Sequence, residues 1–310
     1  MAKSSSSLSP FRLAAESWAF LQSQPALFSV LFWFLILPVV LLDLLTEYWP
    51  QSEVISIQQI GDMGYILATL IFTVVAFWGL ACVLLVGRRQ VLSRAGRSRT
   101  SFRSVRKESV RLIFPLFFTS LLRGVITIEW SLIAILPATL FLLGSQECRA
   151  TLSPVISAMG MLLSTGSQES MMAVQSSFLT RCGPIFLAIP LLIPALIYQL
   201  RTVFFGIVLT SENLRYRDAL RRSRMIVRGK TWRVLWVLVA LGVLFFAPAG
   251  ILSFVVDVVQ QMTIPELPIV STLISDVFYS WAGLLFTLAL VSFYGRLYKE
   301  KGRVQEVVPE

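Results

Sequence analysis

The sequence predicts an all-α polytopic membrane protein, a bundle of six transmembrane helices with three cytoplasmic amphipathic helices at the membrane interface. The composition is the first observation behind this prediction. Of the 310 residues, 56% are hydrophobic and only 14% are charged, and the mean hydropathy is +0.75, which is typical of membrane proteins. The other two observations are six long apolar runs and an uneven distribution of Lys and Arg among the loops.

The six apolar runs are each about long enough to cross the hydrocarbon core of a bilayer. The predicted spans of a single integral membrane domain, 1–310, are 26–45, 64–87, 116–141, 184–209, 233–255 and 277–295. The first run follows Lys3 and Arg12, as the apolar part of a signal peptide would, but no small-residue cleavage pattern comes after it. We therefore expect it to be retained as a helix.

The basic residues of the loops predict the orientation of the chain. Nine Lys or Arg residues lie in 88–111 and eight in 215–233, whereas 46–63 and 256–276 have none and the loop 144–183 has two. Basic loops stay on the cytoplasmic side of a membrane. We therefore expect both termini in the cytoplasm and the loop 144–183 outside it.

Three segments before the odd-numbered spans align on a serine, at Ser17, Ser109 and Ser223. Apolar residues recur four positions before and three and four positions after each serine, which is the spacing of one helical face. A helix breaker follows each segment, at Pro25, Pro115 and Gly229. The simplest interpretation is a threefold repeat of one surface helix and two spans. The alternative is a chance likeness among amphipathic helices.

The third of these segments has the clearest amphipathic pattern. Its apolar stripe consists of Tyr216, Ala219, Leu220, Ser223, Ile226 and Val227. Its other faces carry Arg217, Arg221, Arg224 and Arg228. Such a helix is expected to lie in the membrane interface with its arginines toward lipid phosphates.

One stretch of the chain resembles a known family. It reads Arg201-Thr-Val-Phe-Phe-Gly-Ile-Val-Leu-Thr-Ser-Glu212 and then Ala-Leu-Arg-Arg-Ser-Arg-Met-Ile-Val-Arg-Gly-Lys-Thr-Trp over 219–232. It is similar to the bacterial six-span family that includes YciC-type membrane proteins and the membrane domain attached to some glycerophosphodiester phosphodiesterases. The N-terminal Phe11-Arg-Leu-Ala-Ala-Glu-Ser-Trp is similar too.

The resemblance implies a six-span protein of the bacterial inner membrane, without the phosphodiesterase activity. In the fusion proteins that activity belongs to a separate barrel domain that uses histidines and carboxylates around a metal. This chain has no histidine and is too short for such a barrel. The long outer loop and two charges inside the third span, Arg123 and Glu129, are departures from the family pattern.

Arg123 and Glu129 are candidate functional residues, because ionisable groups inside a span cost at least about 2.5–3.5 kcal/mol on insertion scales. Six residues apart, they point about 120° away from each other on a helix, so they are poor direct partners. One interpretation is a polar pathway or a substrate contact. The other is structural pairing, or an Arg123 side chain that snorkels to the interface.

Two further pairs of residues have alternative interpretations. Arg201 and Glu212 are eleven residues apart, which places them on one face of a continuous helix. We favour anchors at the edges of the interface over a ligand site. Cys148 and Cys182 flank the outer loop and either form a disulfide in an oxidising compartment or remain free thiols.

The sequence excludes several classes of active site. It contains no Walker-type phosphate loop, no cysteines at zinc spacing and no Gly-x-Ser-x-Gly elbow. The absence of histidine removes the commonest general base and the commonest metal ligand. We therefore predict a protein that is not an enzyme and has no cofactor or metal.

The predicted function is membrane organisation or lipid homeostasis in the plasma membrane. The net charge of +10 lies beside the spans, so we expect anionic lipids as partners, with an unidentified cytoplasmic or membrane protein as a further candidate and no nucleic acid. The alternative function is a small transporter or permease component with a polar site in the third span.

Overall fold

A computed structural model describes residues 9–48, 55–92, 101–144, 190–263 and 269–307. Within these ranges the chain is helical apart from short turns and caps, and no described residue belongs to a strand. The predicted all-α class is therefore confirmed.

The helices follow the predicted order of surface segments and spans. They are α1 (Pro10–Ser23), α2 (Pro25–Val30), a π-helical turn (Leu31–Ile36), α3 (Leu37–Tyr48), α4 (Ile55–Leu92), α5 (Phe102–Gly144), α6 (Ile193–Arg201), α7 (Phe205–Glu212), α8 (Tyr216–Val227), α9 (Thr231–Thr263) and α10 (Ile269–Val307).

Within the described ranges, six helical stretches are long and apolar enough to cross a membrane, as predicted. They are Pro25–Leu45, Gly64–Arg89, Phe102–Ile133, Pro190–Glu212, Thr231–Thr263 and Ile269–Glu300, numbered here as spans one to six. The chain is therefore a multi-pass membrane protein. The membrane to which it belongs and the side on which its termini lie stay predictions.

The chain forms two compact units, one within Met1–Ser120 and Arg201–Glu310 and the other within Leu121–Leu200. In the first unit, the second and sixth spans are enclosed over 44% and 50% of their most apolar stretch, against 28% and 22% for the first and fifth. Spans two and six therefore form the core of this unit, and spans one and five lie at its periphery.

Span two packs closely on its neighbours because it presents glycine at the crossing points. A Cβ on Gly79 would come within 2.6 Å of the Phe34 Cβ, and one on Gly87 would meet Val291 at 3.0 Å. On span four, a Cβ on Gly206 would lie 3.0 Å from a methyl group of Leu84. Small residues let helix backbones approach each other, which is how membrane helices gain packing energy.

Three prolines of the spans, Pro38, Pro115 and Pro248, lie inside helices without ending them. In span one the π-helical turn lies just before Pro38 and is closed by the Leu37 N–H bonding the Phe32 carbonyl. Pro248 lies inside the continuous α9. The prediction that Pro115 breaks the chain between a surface helix and span three is wrong, because α5 runs unbroken through it. A lipid environment penalises every unpaired backbone group, which favours continuing a helix.

Span four is broken, but not at its prolines. The helix stops at Arg201, and Thr202–Phe204 form a turn before α7 begins. The Phe204 side chain is fully buried at this turn, with its ring centroid 5.8 Å from that of Phe293 and 5.7 Å from that of Tyr294. Aromatic packing onto span six therefore stabilises a break that no local breaker residue marks.

Candidate lipid interface

The three aligned serines occupy equivalent environments in the first unit. Ser17, Ser109 and Ser223 are each fully buried. The residues four positions earlier are also fully buried, namely Leu13, Val105 and Ala219. The three surface segments are α1, the whole of α8, and the first turns of α5. They therefore pack with the same face inward. This agreement supports the threefold repeat, which itself stays a prediction.

The hydrogen bonds of the three serines differ. Ser17 donates to the Leu13 carbonyl of its own helix at 2.7 Å, and Ser109 accepts from the Trp78 indole at 2.9 Å. Ser223 donates to the Arg201 carbonyl at 3.0 Å, where the broken span four leaves carbonyl groups without their helical partners. The serine face is thus a packing face, and any external ligand must contact another side of these segments.

Each surface segment is also joined to a span by an ion pair. Glu16 of α1 pairs with Arg296 of span six, and Glu108 of α5 lies 3.7 Å from Arg89 at the end of span two. In α8 the Arg222 Nε donates to Glu212 at 2.8 Å.

Glu212 is the most enclosed of the carboxylates in these pairs. Its side chain is 19% exposed and that of Arg222 is 34% exposed. The second carboxylate oxygen of Glu212 accepts a hydrogen bond from the buried Tyr294 hydroxyl at 2.9 Å. One carboxylate therefore joins α8, the end of span four and span six.

The turns at both ends of α8 hold it in a defined direction. Asn213 caps α7 in the left-handed conformation, with φ of 55°, which asparagine tolerates. Tyr216 has φ of 50°, an outlier for a bulky residue. Gly229 follows the helix with φ of 82°. Tyr216 differs from the other members of the predicted apolar stripe, because its side chain is 45% exposed.

The remaining predicted stripe of α8 is buried, and its arginines are exposed. The buried residues are Ala219, Leu220, Ser223, Ile226 and Val227. The exposed arginines are Arg217, Arg221, Arg224 and Arg228. Their spacing of four, three and four residues places them along a single helical face. They therefore form one row and are not spread over several faces of the helix. We call this row the arginine stripe.

The prediction that Arg201 and Glu212 share one helical face is wrong. Arg201 ends α6 and Glu212 ends α7, so the turn at Thr202–Phe204 removes the common helical register. Arg201 is exposed, whereas Glu212 is held by Arg222 and Tyr294. Glu212 therefore holds α8 to spans four and six, and the interpretation of Arg201 and Glu212 as anchors at the edges of the interface stays a prediction.

Within the second unit, Arg123 and Glu129 lie in different environments. The Arg123 guanidinium donates to the Gln199 carbonyl at 3.2 Å, and the Gln199 amide donates to the Thr127 hydroxyl at 2.7 Å. Glu129 is exposed on the same helix. Arg123 thus joins two helical segments, and the structure does not bring the two charges together.

A pair of carboxyl groups in the first unit was missed by the sequence reasoning. Asp276 of span six lies close to Asp43 of span one, and its Oδ2 atom is buried without a hydrogen-bond partner among the described residues. Asp43 could have been found as an ionisable residue inside the predicted run 26–45, but its pairing with Asp276 depends on how the spans pack.

The described residues contain no group of three or more Cys, Asp or Glu side chains that could hold a metal ion.

Cys82 is a buried thiol whose sulfur lies 3.0 Å from the Ser109 hydroxyl oxygen. Cys148 and Cys182 lie outside the described residues, so their pairing stays a prediction.

Comparison with known proteins gives no match: no protein-family model, no curated protein and no solved structure matches this chain.

Proposed function

We propose that this chain is a non-catalytic membrane-organising or lipid-homeostasis protein that holds anionic lipids against its basic surface helices. One observation carries the proposal: α8 presents the arginine stripe on one exposed face, while its opposite face is buried and pinned by Ser223 and Arg222. The stripe is therefore fixed in direction before any lipid binds.

The position of α8 in the chain favours a membrane surface as the partner. Span four ends at Glu212 and span five begins at Thr231, so α8 is tethered to membrane-crossing helices at both ends. Basic residues beside an anionic leaflet each contribute about 1 kcal/mol of attraction. Four of them in one row form a surface that distinguishes anionic from zwitterionic lipids.

The aromatic residues after α8 support the same placement. Trp232 and Trp236 are 74% and 69% exposed and follow the stripe at the start of α9. Exposed tryptophans at the end of a span favour the headgroup region of a bilayer. We place this region on the cytoplasmic side of a bacterial inner membrane, with both termini on that side, because of the basic-loop rule and the family resemblance.

The test uses lipid binding by the full chain in detergent micelles. Native mass spectrometry would count bound phosphatidylglycerol and phosphatidylcholine for the wild type and for a variant with glutamine at all four stripe positions. We expect a preference for phosphatidylglycerol in the wild type and its loss in the variant. A second variant with lysine at the four positions keeps the charge and is expected to keep the preference. Equal binding of both lipids by the wild type would contradict the proposal.

A second candidate function is a small transporter, which the Asp43–Asp276 pair favours. Two neighbouring carboxyl groups on different spans are candidate proton carriers of a polar pathway, and the Arg123, Thr127 and Gln199 contacts give the second unit its own polar site. Proteoliposomes that contain a pH-sensitive dye would report proton entry. This candidate requires a flux that Asp276→Asn abolishes, and a wild type without flux would remove it.

A further inference from the structure

We infer that the arginine stripe binds lipids that carry two phosphates on one molecule, in preference to lipids with a single phosphate. This inference rests on the proposed function, because it names the headgroup chemistry of the same surface. It depends on the spacing of the stripe and on the rigidity of the helix that carries it.

The spacing gives the stripe more than one phosphate position. Arg217 and Arg221 are four residues apart, so their backbone positions differ by about 6 Å along the helix axis, and Arg224 follows about 4.5 Å further on. Each guanidinium can bind a phosphate through two parallel hydrogen bonds. Neighbouring arginines of the stripe can therefore hold two phosphates side by side.

The groups around the stripe leave it strongly basic. Arg222 points to Glu212 and is used in holding the helix. Asp218 is an exposed carboxylate on α8, within one turn of Arg221. The remaining positions of the stripe keep a net positive charge, which a single phosphate cannot balance.

A linked pair of phosphates has an advantage over two separate lipids. Once the first phosphate is bound, the second is held near the next guanidinium by its covalent link, which raises its effective concentration. Two separate lipids must each lose freedom of movement. The advantage is greatest when the backbone positions of the arginines are fixed, and the buried face of α8 with its Ser223 and Arg222 contacts holds the helix in place.

A bilayer lipid is favoured over a soluble polyanion by the location of the stripe. Helix α8 lies between two spans in the chain. The exposed Trp232 and Trp236 follow it at the start of α9. A soluble ligand gains nothing from exposed aromatic side chains at the end of a span, whereas such side chains favour the headgroup region of a bilayer.

The test compares diphosphatidylglycerol with phosphatidylglycerol at equal phosphate concentration, by native mass spectrometry of the full chain. We expect the wild type to bind the diphosphate lipid about tenfold more tightly. Arg221→Gln interrupts the stripe and is expected to reduce the ratio to about one. Arg215→Gln removes the same charge from an exposed residue that precedes α8 and lies outside the stripe, and it is expected to keep the ratio. Equal melting temperatures would establish that both variants are folded.

Each outcome has a distinct meaning. Equal affinity of the wild type for the two anionic lipids, with both above phosphatidylcholine, overturns the inference and leaves the proposed function standing. Equal affinity for all three lipids overturns both. If Arg215→Gln also lost the preference for diphosphatidylglycerol, the preference would depend on total charge, and the inference that the stripe causes it would be wrong. Full displacement of the lipid by the headgroup diphosphate alone, at a similar concentration, would make the site one for a soluble anion.

Discussion

The Nε atom of Arg222 lies 2.8 Å from a carboxylate oxygen of Glu212, and this contact joins the surface helix α8 to the last turn of span four. Tyr294 donates to the other oxygen of the same carboxylate. The carboxylate of Glu212 therefore joins a residue 10 positions away in the chain to one 82 positions away. We expect the stability of the protein to depend on it more than on any exposed ion pair.

Glu212→Gln is expected to lower the free energy of unfolding by about 1–2 kcal/mol, because two hydrogen bonds to a charged acceptor weaken together. Thermal unfolding in detergent would measure the change. Glu300→Gln is the matched control, since Glu300 pairs with Lys230 and Arg233 at an exposed position and exposed pairs contribute less than about 1 kcal/mol. An equal loss in the two variants would contradict the anchoring role of Glu212.

Ser223→Ala is expected to destabilise the protein by about 1–2 kcal/mol, because the Arg201 carbonyl at the break of span four loses its donor. Ser17→Ala removes a hydroxyl that bonds only within its own helix and is expected to cost less than about 0.5 kcal/mol. Melting temperatures of the two variants would test the difference. If Ser17→Ala cost as much as Ser223→Ala, the capping account of Ser223 would be wrong.

Gly79→Ala is expected to destabilise the first unit by about 1–3 kcal/mol through overpacking. The added methyl group would lie 2.6 Å from the Phe34 Cβ, and a Cβ atom cannot rotate away. Gly283→Ala is the control, because nothing lies within 4 Å of its Cβ position. The two variants can be compared by the temperature at which each loses monodispersity in detergent. A tolerated Gly79→Ala would show that spans one and two are less closely packed there.

Arg123→Met is expected to lower stability by about 1–3 kcal/mol, because the Gln199 carbonyl loses a charged donor. Glu129→Gln is expected to leave stability unchanged, since Glu129 is exposed and the described residues give it no ion pair. Thermal unfolding of the two variants tests this asymmetry. A large loss in Glu129→Gln would mean that Glu129 has a structural partner after all.

The sequence predicted those features that depend on local periodicity. Ala219, Leu220, Ile226 and Val227 are buried and the arginines of the stripe are exposed, because the side of a helix on which a residue lies follows from its spacing. The six apolar runs were found for a similar reason. A run of about 20 apolar residues is sufficient evidence of a span.

Features that depend on packing between distant segments were not predicted. The break after Arg201 has no proline or glycine at its turn, and Phe204 stabilises it by packing on Phe293 and Tyr294. Pro115 is the reverse case: it is a residue that usually breaks helices, yet it lies inside the continuous helix α5. In both cases the tertiary environment, and not local propensity, determines where the helix ends.

The most direct test of the central claim is photo-crosslinking from the arginine stripe in intact cells. A benzophenone side chain in place of the exposed Met225, which is adjacent to Arg221 and Arg224 on α8, would report what the stripe contacts. A benzophenone at the buried Ile226 is the control and is expected to react only within the chain. We predict that position 225 crosslinks to anionic phospholipid. Crosslinking of position 225 to a cytoplasmic protein, with no lipid adduct, would contradict the account.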